Sequence, residues 1–244
     1  MADTAALSPA LRRALDLFAE PPAEPDVRNG YLDLLPPGGD ARVPTNAGAI
    51  QAVWASTVGA MLYDGAQAFS RRVSRLLRPP IEWLNIPAGG IALDVGCGPG
   101  SVTALLARAV GPDGLALGVD VSEPMLARAV RAQSGPQVAF LRANAQQLPL
   151  RDATVDAVVS IAVLQLIPDP SAAVAEMARV LRPGGRLILM VPTAVRSPLW
   201  RMFPKMGARL FGEDELGDTA EAHGFVGVRT RNINTIQWVR ATRG

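Results

Sequence analysis

The residues best placed to do chemistry form a glycine-rich turn. In the run IALDVGCGPGS, residues 91–101, an apolar predicted strand is followed by Gly96, Gly98 and Gly100, and then by a predicted helix that begins near Ser101. Glycines let a backbone approach a ligand closely, and a helix amino terminus offers unpaired N–H groups and the positive end of its dipole. The G-x-G-x-G spacing departs from the G-x-G-x-x-G dinucleotide fingerprint. The turn is therefore either a ligand-binding loop or a structural connection.

Asp120 is the second candidate. It ends the next apolar run, LALGVDV, roughly twenty residues beyond the glycine turn, the separation typical of an acidic ribose-binding residue. A carboxylate at the tip of a strand can accept two hydrogen bonds from ribose hydroxyls. It can equally cap the helix that starts after Ser122, and the residues alone leave both roles open.

The elements that must position these residues are short β-rich runs alternating with helical runs after residue 90. Strands are predicted at 91–95, 115–121, 137–142, 155–162 and 185–191, and helices at 101–110, 123–133, 171–182 and 213–222. Two further runs, 225–231 and 235–241, are predicted to form a hairpin. Segments such as DAVVSIAV and RLILMV are apolar throughout, as in strands covered by helices on both faces. The alternation predicts an α/β fold with a mostly parallel sheet.

Five motifs occur in order along this half of the chain. They are LDVGCGPG at 93–100, GVDVSEPMLARA at 118–129, NAQQLP at 144–149, VDAVVSIAVLQLIPDP at 155–170 and RVLRPGGRLIL at 179–189. Together they resemble class I S-adenosylmethionine-dependent methyltransferases. The resemblance implies a doubly wound, mostly parallel seven-stranded sheet, the Rossmann-like methyltransferase fold, with the last strand antiparallel. It also implies S-adenosyl-L-methionine as the cofactor.

The resemblance assigns contacts with this cofactor to residues of the first four motifs. They are Gly96, Cys97, Gly98, Asp120, Val121, Met125, Asn144, Ala145 and Ser160. Asp120 would hold the ribose, and Met125 would lie against the adenine, although core packing is an equal alternative for Met125. Asn144 stands where the family usually has an aspartate, and its oxygen can still accept a hydrogen bond from the adenine amino group. The backbone N–H of Ala145 would contact the same ring.

The acceptor pocket has three candidate residues. Tyr63 resembles the aromatic residue that closes over the cofactor in related enzymes, and Gln165 follows the fourth strand of the sheet. Trp200 lies in the segment 195–211, where methionines and aromatics suit either a lid over an apolar substrate or a helix that packs for stability or dimerisation. No residue is identified as catalytic. The sulfonium methyl is already activated, and alignment of donor and acceptor can supply much of the acceleration.

The chain is expected to comprise three segments. Residues 1–45 are predicted to be an N-terminal helix, capped at Ser8, and a proline-rich arm, and 46–89 a helical cap over the active site. Residues 90–244 are predicted to be the S-adenosylmethionine-binding methyltransferase domain, with an acceptor lid near 195–211.

Composition excludes several function classes. One cysteine and one histidine argue against a disulfide or a metal site, and the start MADTAALSPALRRAL lacks the pattern of a signal peptide, so we expect a cytoplasmic protein. No run reaches the ~20 apolar residues that a membrane span needs. The formal charge is +2 and the arginines are scattered along the sequence, so we expect no clustered nucleic-acid-binding face.

We therefore expect methyl transfer to oxygen or carbon of an apolar small molecule. No Asn-Pro-Pro-Tyr or Asp-Pro-Pro-Tyr follows the fourth strand, which argues against an exocyclic amine as acceptor. The run VRNGYLDLLPPGGDAR at 27–42 resembles the tail of the zinc ribbon in ribosomal-RNA guanine-N1 methyltransferases, without the zinc cysteines. A relative of these enzymes that lost its zinc ribbon, and a non-catalytic cofactor-binding scaffold, remain alternatives. The acceptor is left open, as is the oligomeric state, for which a homodimer is one alternative.

Overall fold

The computed structural model describes residues 7–35, 79–193, 209–233 and 236–244. The α-helices are α1 (Pro9–Leu15), α2 (Ser101–Val110), α3 (Glu123–Gln133), α4 (Pro170–Val180) and α5 (Glu215–Ala222), and 3-10 helices span Ile81–Leu84 and Leu164–Leu166. The strands are β1 (Leu32–Asp33), β2 (Ile91–Val95), β3 (Leu115–Asp120), β4 (Val138–Arg142), β5 (Val155–Ile161), β6 (Leu181–Pro192), β7 (Phe225–Ile233) and β8 (Ile236–Arg243). None of the helices described is long and apolar enough to cross a membrane.

The sheet has eight strands in the order β1-β4-β3-β2-β5-β6-β8-β7. Every pairing is parallel except those of β8, which is antiparallel to β6 and to β7. The predicted doubly wound α/β fold with an antiparallel last strand is confirmed. The predicted number of strands was one too few, because Leu32 and Asp33 pair with Leu141 and Arg142 at the edge of the sheet. A strand of two residues has no measurable periodicity, and only its tertiary partner reveals it.

The helix and strand limits differ from the predictions at the α4–β6 junction. Helix α4 ends at Val180, where the next residue, Leu181, already has extended backbone, and Pro183 disfavours helical backbone at Arg182 as well. Strand β6 pairs at once with β5, opposite Val155, and the register then shifts before pairing resumes between Arg186 and Ala157. Gly184, at a φ of +79°, lies in this irregularity within the strand.

Part of the N-terminal segment belongs to the main core. The Ser8 hydroxyl accepts a hydrogen bond of 3.2 Å from the Leu11 N–H, so the predicted cap is confirmed. Leu11 and Phe18 are buried in the largest hydrophobic cluster, and Phe18 pairs with Leu150. This cluster covers one face of the sheet, and a second cluster, which includes Ile81 and residues of α2, covers the other.

Four arginines of β6, β8 and β7 lie together on one face of the sheet. It is the face that the second hydrophobic cluster covers. Arg240 lies opposite Arg229, and both Arg186 and Arg240 stack on the Trp83 ring, 5.1 and 5.3 Å from its centroid. Arg231 lies on the same face, and none of these four arginines forms an ion pair with a described acidic residue. The expectation of no clustered basic face was wrong, because sheet pairing joins residues that are distant in the sequence.

Several predictions fall outside the described residues. Tyr63 and Trp200 lie there, as do most of the predicted helical cap and residues 195–208 of the predicted lid. The boundaries of the three predicted segments stay predictions.

Candidate active site

The glycine turn links β2 to α2 and is tied to the end of β3. Gly96, Gly98 and Gly100 have φ values of +76°, +50° and +80°, a region that favours glycine. The backbone N–H groups of Gly96 and Cys97 both donate to the Val119 carbonyl, at 2.7 and 2.9 Å. The turn thus has one defined position at the carboxyl ends of two neighbouring strands, which is where ligands bind in open α/β sheets.

The atoms around each glycine show whether the protein itself excludes a side chain there or leaves space for a ligand. A Cβ on Gly96 would lie 2.2 Å from Val163 Cγ2, and one on Gly100 would lie 2.8 Å from the Phe140 ring. A Cβ on Gly98 would meet no atom of the described residues within 4 Å. Gly96 and Gly100 are therefore required for packing within the protein. Gly98 leaves the backbone open to the close approach of a ligand.

Asp120 lies at the tip of β3 and holds the turn. Its Oδ2 accepts a hydrogen bond of 2.8 Å from the Gly98 N–H, and its Oδ1 accepts one of 2.9 Å from the Ser122 N–H. Burial raises the pKa of this carboxyl group, while the hydrogen bonds from Ser122 and Gly98 act in the opposite direction. Each carboxylate oxygen has a second lone pair. The carboxylate therefore keeps lone pairs for ribose hydroxyls. The capping alternative is wrong, because Asp120 accepts from the N–H of Ser122, the N-cap residue, and from no N–H inside α3.

Asp94 is a residue of the site that the sequence analysis missed. It is buried at the end of β2, and the Thr103 hydroxyl donates to its Oδ2 at 2.6 Å. Burial raises its pKa to about 7, against the opposing effect of the Thr103 hydrogen bond. A lone carboxylate within the apolar run IALDV, next to the glycine turn, was the signal that could have identified it.

The Cys97 side chain points inward from the turn, and its thiol donates a hydrogen bond of 3.7 Å to the Gly98 carbonyl. Its side chain is buried in a cluster with Tyr31, Phe140, Leu126 and Ala129. Burial raises the pKa of this thiol well above its usual range, so the thiol stays protonated. A buried protonated thiol is neither a nucleophile nor a polar contact for a cofactor.

The loop after β4 holds the predicted adenine-binding residues. The Asn144 Oδ1 accepts a hydrogen bond of 2.9 Å from the Gln146 N–H, which fixes the amide orientation and leaves one lone pair on that oxygen. The backbone N–H of Ala145 donates to no acceptor within the described ranges. An acceptor and a donor are thus adjacent in one loop, as the edge of an adenine ring requires.

Val121 and Met125, the other two predicted adenosine contacts, lie between the end of β3 and the first turn of α3. The Val121 carbonyl accepts a hydrogen bond of 3.3 Å from Arg142 Nε, and Arg142 also forms ion pairs with Asp33 at 3.0 Å and Glu123 at 3.1 Å. Met125, on the first turn of α3, is 6% exposed and belongs to none of the three hydrophobic clusters of the described residues. Arg142 therefore supports the backbone on which these two side chains lie.

Ser160 and Gln165 lie at the end of β5 and just beyond it. The buried Ser160 hydroxyl donates to the Val95 carbonyl at 2.9 Å and so ties β5 to β2. Gln165 is 7% exposed, and its Nε2 donates to the Ala162 carbonyl at 2.7 Å. The structure thus brings Gln165 to the same sheet edge as the glycine turn, while the Ser160 hydroxyl is engaged within the sheet.

The residues present fit S-adenosylmethionine by the chemistry of their groups. The Asp120 carboxylate can accept hydrogen bonds from ribose hydroxyls, the Asn144 and Ala145 loop can pair with adenine, and the space beside Gly98 admits a chain close to the backbone. No group of three or more potential metal ligands occurs within the residues described.

The fold and this site define an S-adenosylmethionine-dependent methyltransferase domain of class I. Residues 93–189, which hold all five motifs, match the family described as "Methyltransferase domain". Those residues therefore form a methyltransferase domain, and S-adenosylmethionine is the cofactor of this class. Only the fold and class predicted from the sequence are confirmed by this match. The individual contacts stay predictions.

Two relatives are similar to parts of this chain. The chain is 42% identical over 113 residues to an uncharacterized 37.1 kDa transposon protein of Streptomyces fradiae, covering 46% of this chain and 33% of that one. It is 39% identical over 111 residues to demethylmenaquinone methyltransferase of Bacillus licheniformis, covering 45% and 48%. The chain thus spans half or less of the length of these relatives.

A solved structure resembles a larger part of the fold. It is a SAM-dependent methyltransferase of Thermotoga maritima, described as a possible histamine N-methyltransferase, with a TM-score of 0.62 and 21% identity. The similarity covers 80% of this chain and 99% of that one. At this identity the likeness shows the fold alone.

Proposed function

We propose that this protein transfers the methyl group of S-adenosylmethionine to an oxygen or carbon atom of an apolar small molecule. The observation that carries the proposal is the Asp120 carboxylate bonded to the Gly98 N–H beside the open space at Gly98. A hydrogen-bond acceptor for ribose hydroxyls thus lies beside a backbone that a ligand can approach. The similarity to a demethylmenaquinone methyltransferase supports a small apolar acceptor.

The protein's own residues act by binding and alignment. S-adenosylmethionine, when bound, would supply a methyl group activated by its sulfonium, whose C–S bond breaks as the acceptor atom attacks in line, so that S-adenosylhomocysteine leaves and a hydroxyl acceptor gives its proton to solvent. Asp120 would hold the ribose, and the loop at Asn144 would orient the adenine. Holding two reactants in line converts a bimolecular step into an effectively unimolecular one.

Calorimetric titration of the purified chain with S-adenosylmethionine and S-adenosylhomocysteine tests the proposal. We expect both to bind with one site per chain. Transfer of a labelled methyl group to naphthols and hydroquinones then separates an enzyme from a scaffold that binds the cofactor without turnover. Failure of both cofactor forms to bind would contradict the proposal.

A second candidate function is methyl transfer to RNA, which the arginine face supports. Arg229 and Arg231 are exposed on that face beside Arg240, and like charges directly opposite each other are unfavourable without an anionic partner. This candidate predicts a steeply salt-dependent affinity for an RNA fragment. The double variant Arg229→Ala/Arg231→Ala should flatten that dependence, while Arg108→Ala/Arg131→Ala, which removes exposed arginines elsewhere, should not. Absent or salt-independent binding would eliminate it.

A further inference from the structure

Three buried oxygen atoms have no hydrogen-bond partner among the described residues. They are Gln165 Oε1, Thr193 Oγ1 and Gln237 Oε1. Their residues are 7%, 1% and 0% exposed. Buried polar groups are almost always paired, because an unmet hydrogen bond costs free energy, so each such atom requires an explanation.

The orientations of the two amides are fixed by their other ends. Gln165 Nε2 donates to the Ala162 carbonyl at 2.7 Å, and Gln237 Nε2 donates to the Asn232 Oδ1 at 3.0 Å and to the Glu213 carbonyl. Exchanging oxygen and nitrogen would place oxygen against oxygen in both residues. The two unpaired atoms are therefore amide oxygens, which can only accept hydrogen bonds.

The three residues surround one short segment. The Arg209 N–H donates to the Gln165 carbonyl at 2.8 Å, Phe211 pairs with Thr193, and the Gly212 carbonyl accepts from Gln237 Nε2 at 3.3 Å. Four residues span at most ~14 Å even when fully extended. The three residues therefore lie in one region, at the ends of β5, β6 and β8.

This region adjoins the glycine turn. Val163, two residues before Gln165, is the side chain that a Cβ on Gly96 would strike. The Ala162 N–H donates to the Met190 carbonyl near the end of β6 at 2.8 Å, so the segment with Gln165 bridges the two strand ends. A molecule bound at Gln165 would lie next to the proposed position of the methyl donor.

The chemistry of the three groups selects a type of ligand. Amide oxygens need a hydrogen-bond donor, and the Thr193 hydroxyl can accept or donate. Arg209, the cation of the neighbouring segment, is paired with Glu215, and that carboxylate also accepts from the Gly212 N–H at 2.9 Å. The unpaired groups are neutral, which favours a neutral hydroxyl over an ammonium or a carboxylate.

We propose that Gln165 and Thr193 form an acceptor subsite for a neutral, hydroxyl-bearing small molecule, whose hydroxyl donates to Gln165 Oε1. The inference rests on the proposed function and narrows its substrate class from apolar molecules in general to those with a hydroxyl donor. Gln237 completes the subsite by holding the Gly212–Glu213 backbone in place.

Two probes of equal ring size test the subsite. The full chain, saturated with S-adenosylhomocysteine, is titrated with 1-naphthol and with 1-methoxynaphthalene, which lacks the donor. We expect 1-naphthol to bind about tenfold more tightly, the value of one additional hydrogen bond. Gln165→Met and Thr193→Val should each reduce the preference. Equal affinities for the two probes, or binding of neither, would overturn the inference.

The Tm of the ligand-free protein distinguishes a ligand-binding role of the Thr193 hydroxyl from a structural role. Removing the hydroxyl should lower the Tm only if the hydroxyl has a structural role. Thr193→Val replaces an unpaired buried hydroxyl by a methyl group of the same shape and should leave the Tm unchanged or raise it. Thr103→Val is the matched control: its buried hydroxyl donates to Asp94, so the Tm should fall. A fall in Tm for Thr193→Val would show that the hydroxyl has a structural partner and would overturn its role.

The two proposals fail in distinguishable ways. If S-adenosylhomocysteine binds and the naphthol preference is absent, the subsite is wrong and methyl transfer stands. If S-adenosylhomocysteine does not bind and the naphthol preference persists without it, the subsite stands and methyl transfer is wrong.

Discussion

The Asp120 carboxylate accepts a hydrogen bond of 2.8 Å from the Gly98 N–H, 22 residues earlier in the chain. One side chain thus holds the most open glycine of the turn and remains able to accept hydrogen bonds from a ribose. The shape of the turn and the proposed ribose contact therefore depend on the same carboxylate.

Replacing Asp120 by alanine should weaken cofactor binding strongly. Hydrogen bonds to charged groups are worth roughly 1.5–3 kcal/mol each, so losing the ribose contact should raise the Kd by about 100-fold. Calorimetric titration with S-adenosylhomocysteine measures the change. Asp113→Asn, at an exposed turn, is the control and should bind as the unaltered protein does. An unchanged Kd for Asp120→Ala would show that the ribose lies elsewhere.

Alanine at Gly98 and at Gly96 should have different effects. The new methyl group of Gly98→Ala meets no atom within the described part of the chain. Stability should therefore fall only by the ~1–2 kcal/mol cost of a positive φ, while the Kd for S-adenosylhomocysteine rises by about tenfold or more. Gly96→Ala collides with Val163 and should lose about 3 kcal/mol or more of unfolding free energy. Denaturant unfolding and titration separate the two.

Shortening the colliding side chain provides a control for this comparison. Val163→Ala should restore part of the stability lost in Gly96→Ala and none of the affinity lost in Gly98→Ala. Equal destabilisation by the two glycine substitutions would contradict the packing described here.

Asp94 should make the protein less stable as the pH rises. Its pKa is raised from 3.8 to about 7, so the native state binds the proton more tightly than the unfolded state does. The protonated Asp94 therefore contributes to the unfolding free energy below about pH 4. This contribution is lost as the pH rises through about 7, and the unfolding free energy decreases by up to about 4 kcal/mol.

The Asp94→Asn variant tests this dependence. An asparagine oxygen can still accept the Thr103 hydroxyl but does not titrate, so the decrease in unfolding free energy between pH 4 and pH 8 should shrink. Denaturant unfolding at several pH values measures it, with Asp113→Asn as the control at an exposed position. The same pH profile for Asp94→Asn and the unaltered protein would refute the assignment.

The two carboxylates that pair with Arg142 should contribute unequally. The Arg142 side chain is 7% exposed, that of Asp33 18% and that of Glu123 55%. Asp33→Ala removes the more buried of the two carboxylates from a buried guanidinium and should cost about 3 kcal/mol of unfolding free energy. Glu123→Ala removes an exposed partner and should cost at most about 1 kcal/mol. Equal losses in denaturant unfolding would show that β1 does not depend on the ion pair.

Much of the site was predictable from residue types because its residues follow consecutive strands of a parallel sheet. The glycine turn and the carboxylate at the end of the next strand were identified from spacing alone, and both lie where parallel strands place them. The hydroxyl of Ser160 and the thiol of Cys97 could not be assigned in this way. Their roles depend on which way a side chain points, and one points into the sheet and the other into a core cluster.

The sequence by itself determined most of the strands and helices and their order along the chain, because apolar periodicity and glycine turns act over a few residues. Contacts between distant segments required the tertiary structure. The pairing of Leu32–Asp33 with β4, the arginine face on β6, β8 and β7, and the unpaired oxygens of Gln165, Thr193 and Gln237 each join parts of the chain that no local pattern connects. Sheet register and burial decide such contacts, and both are properties of the folded molecule as a whole.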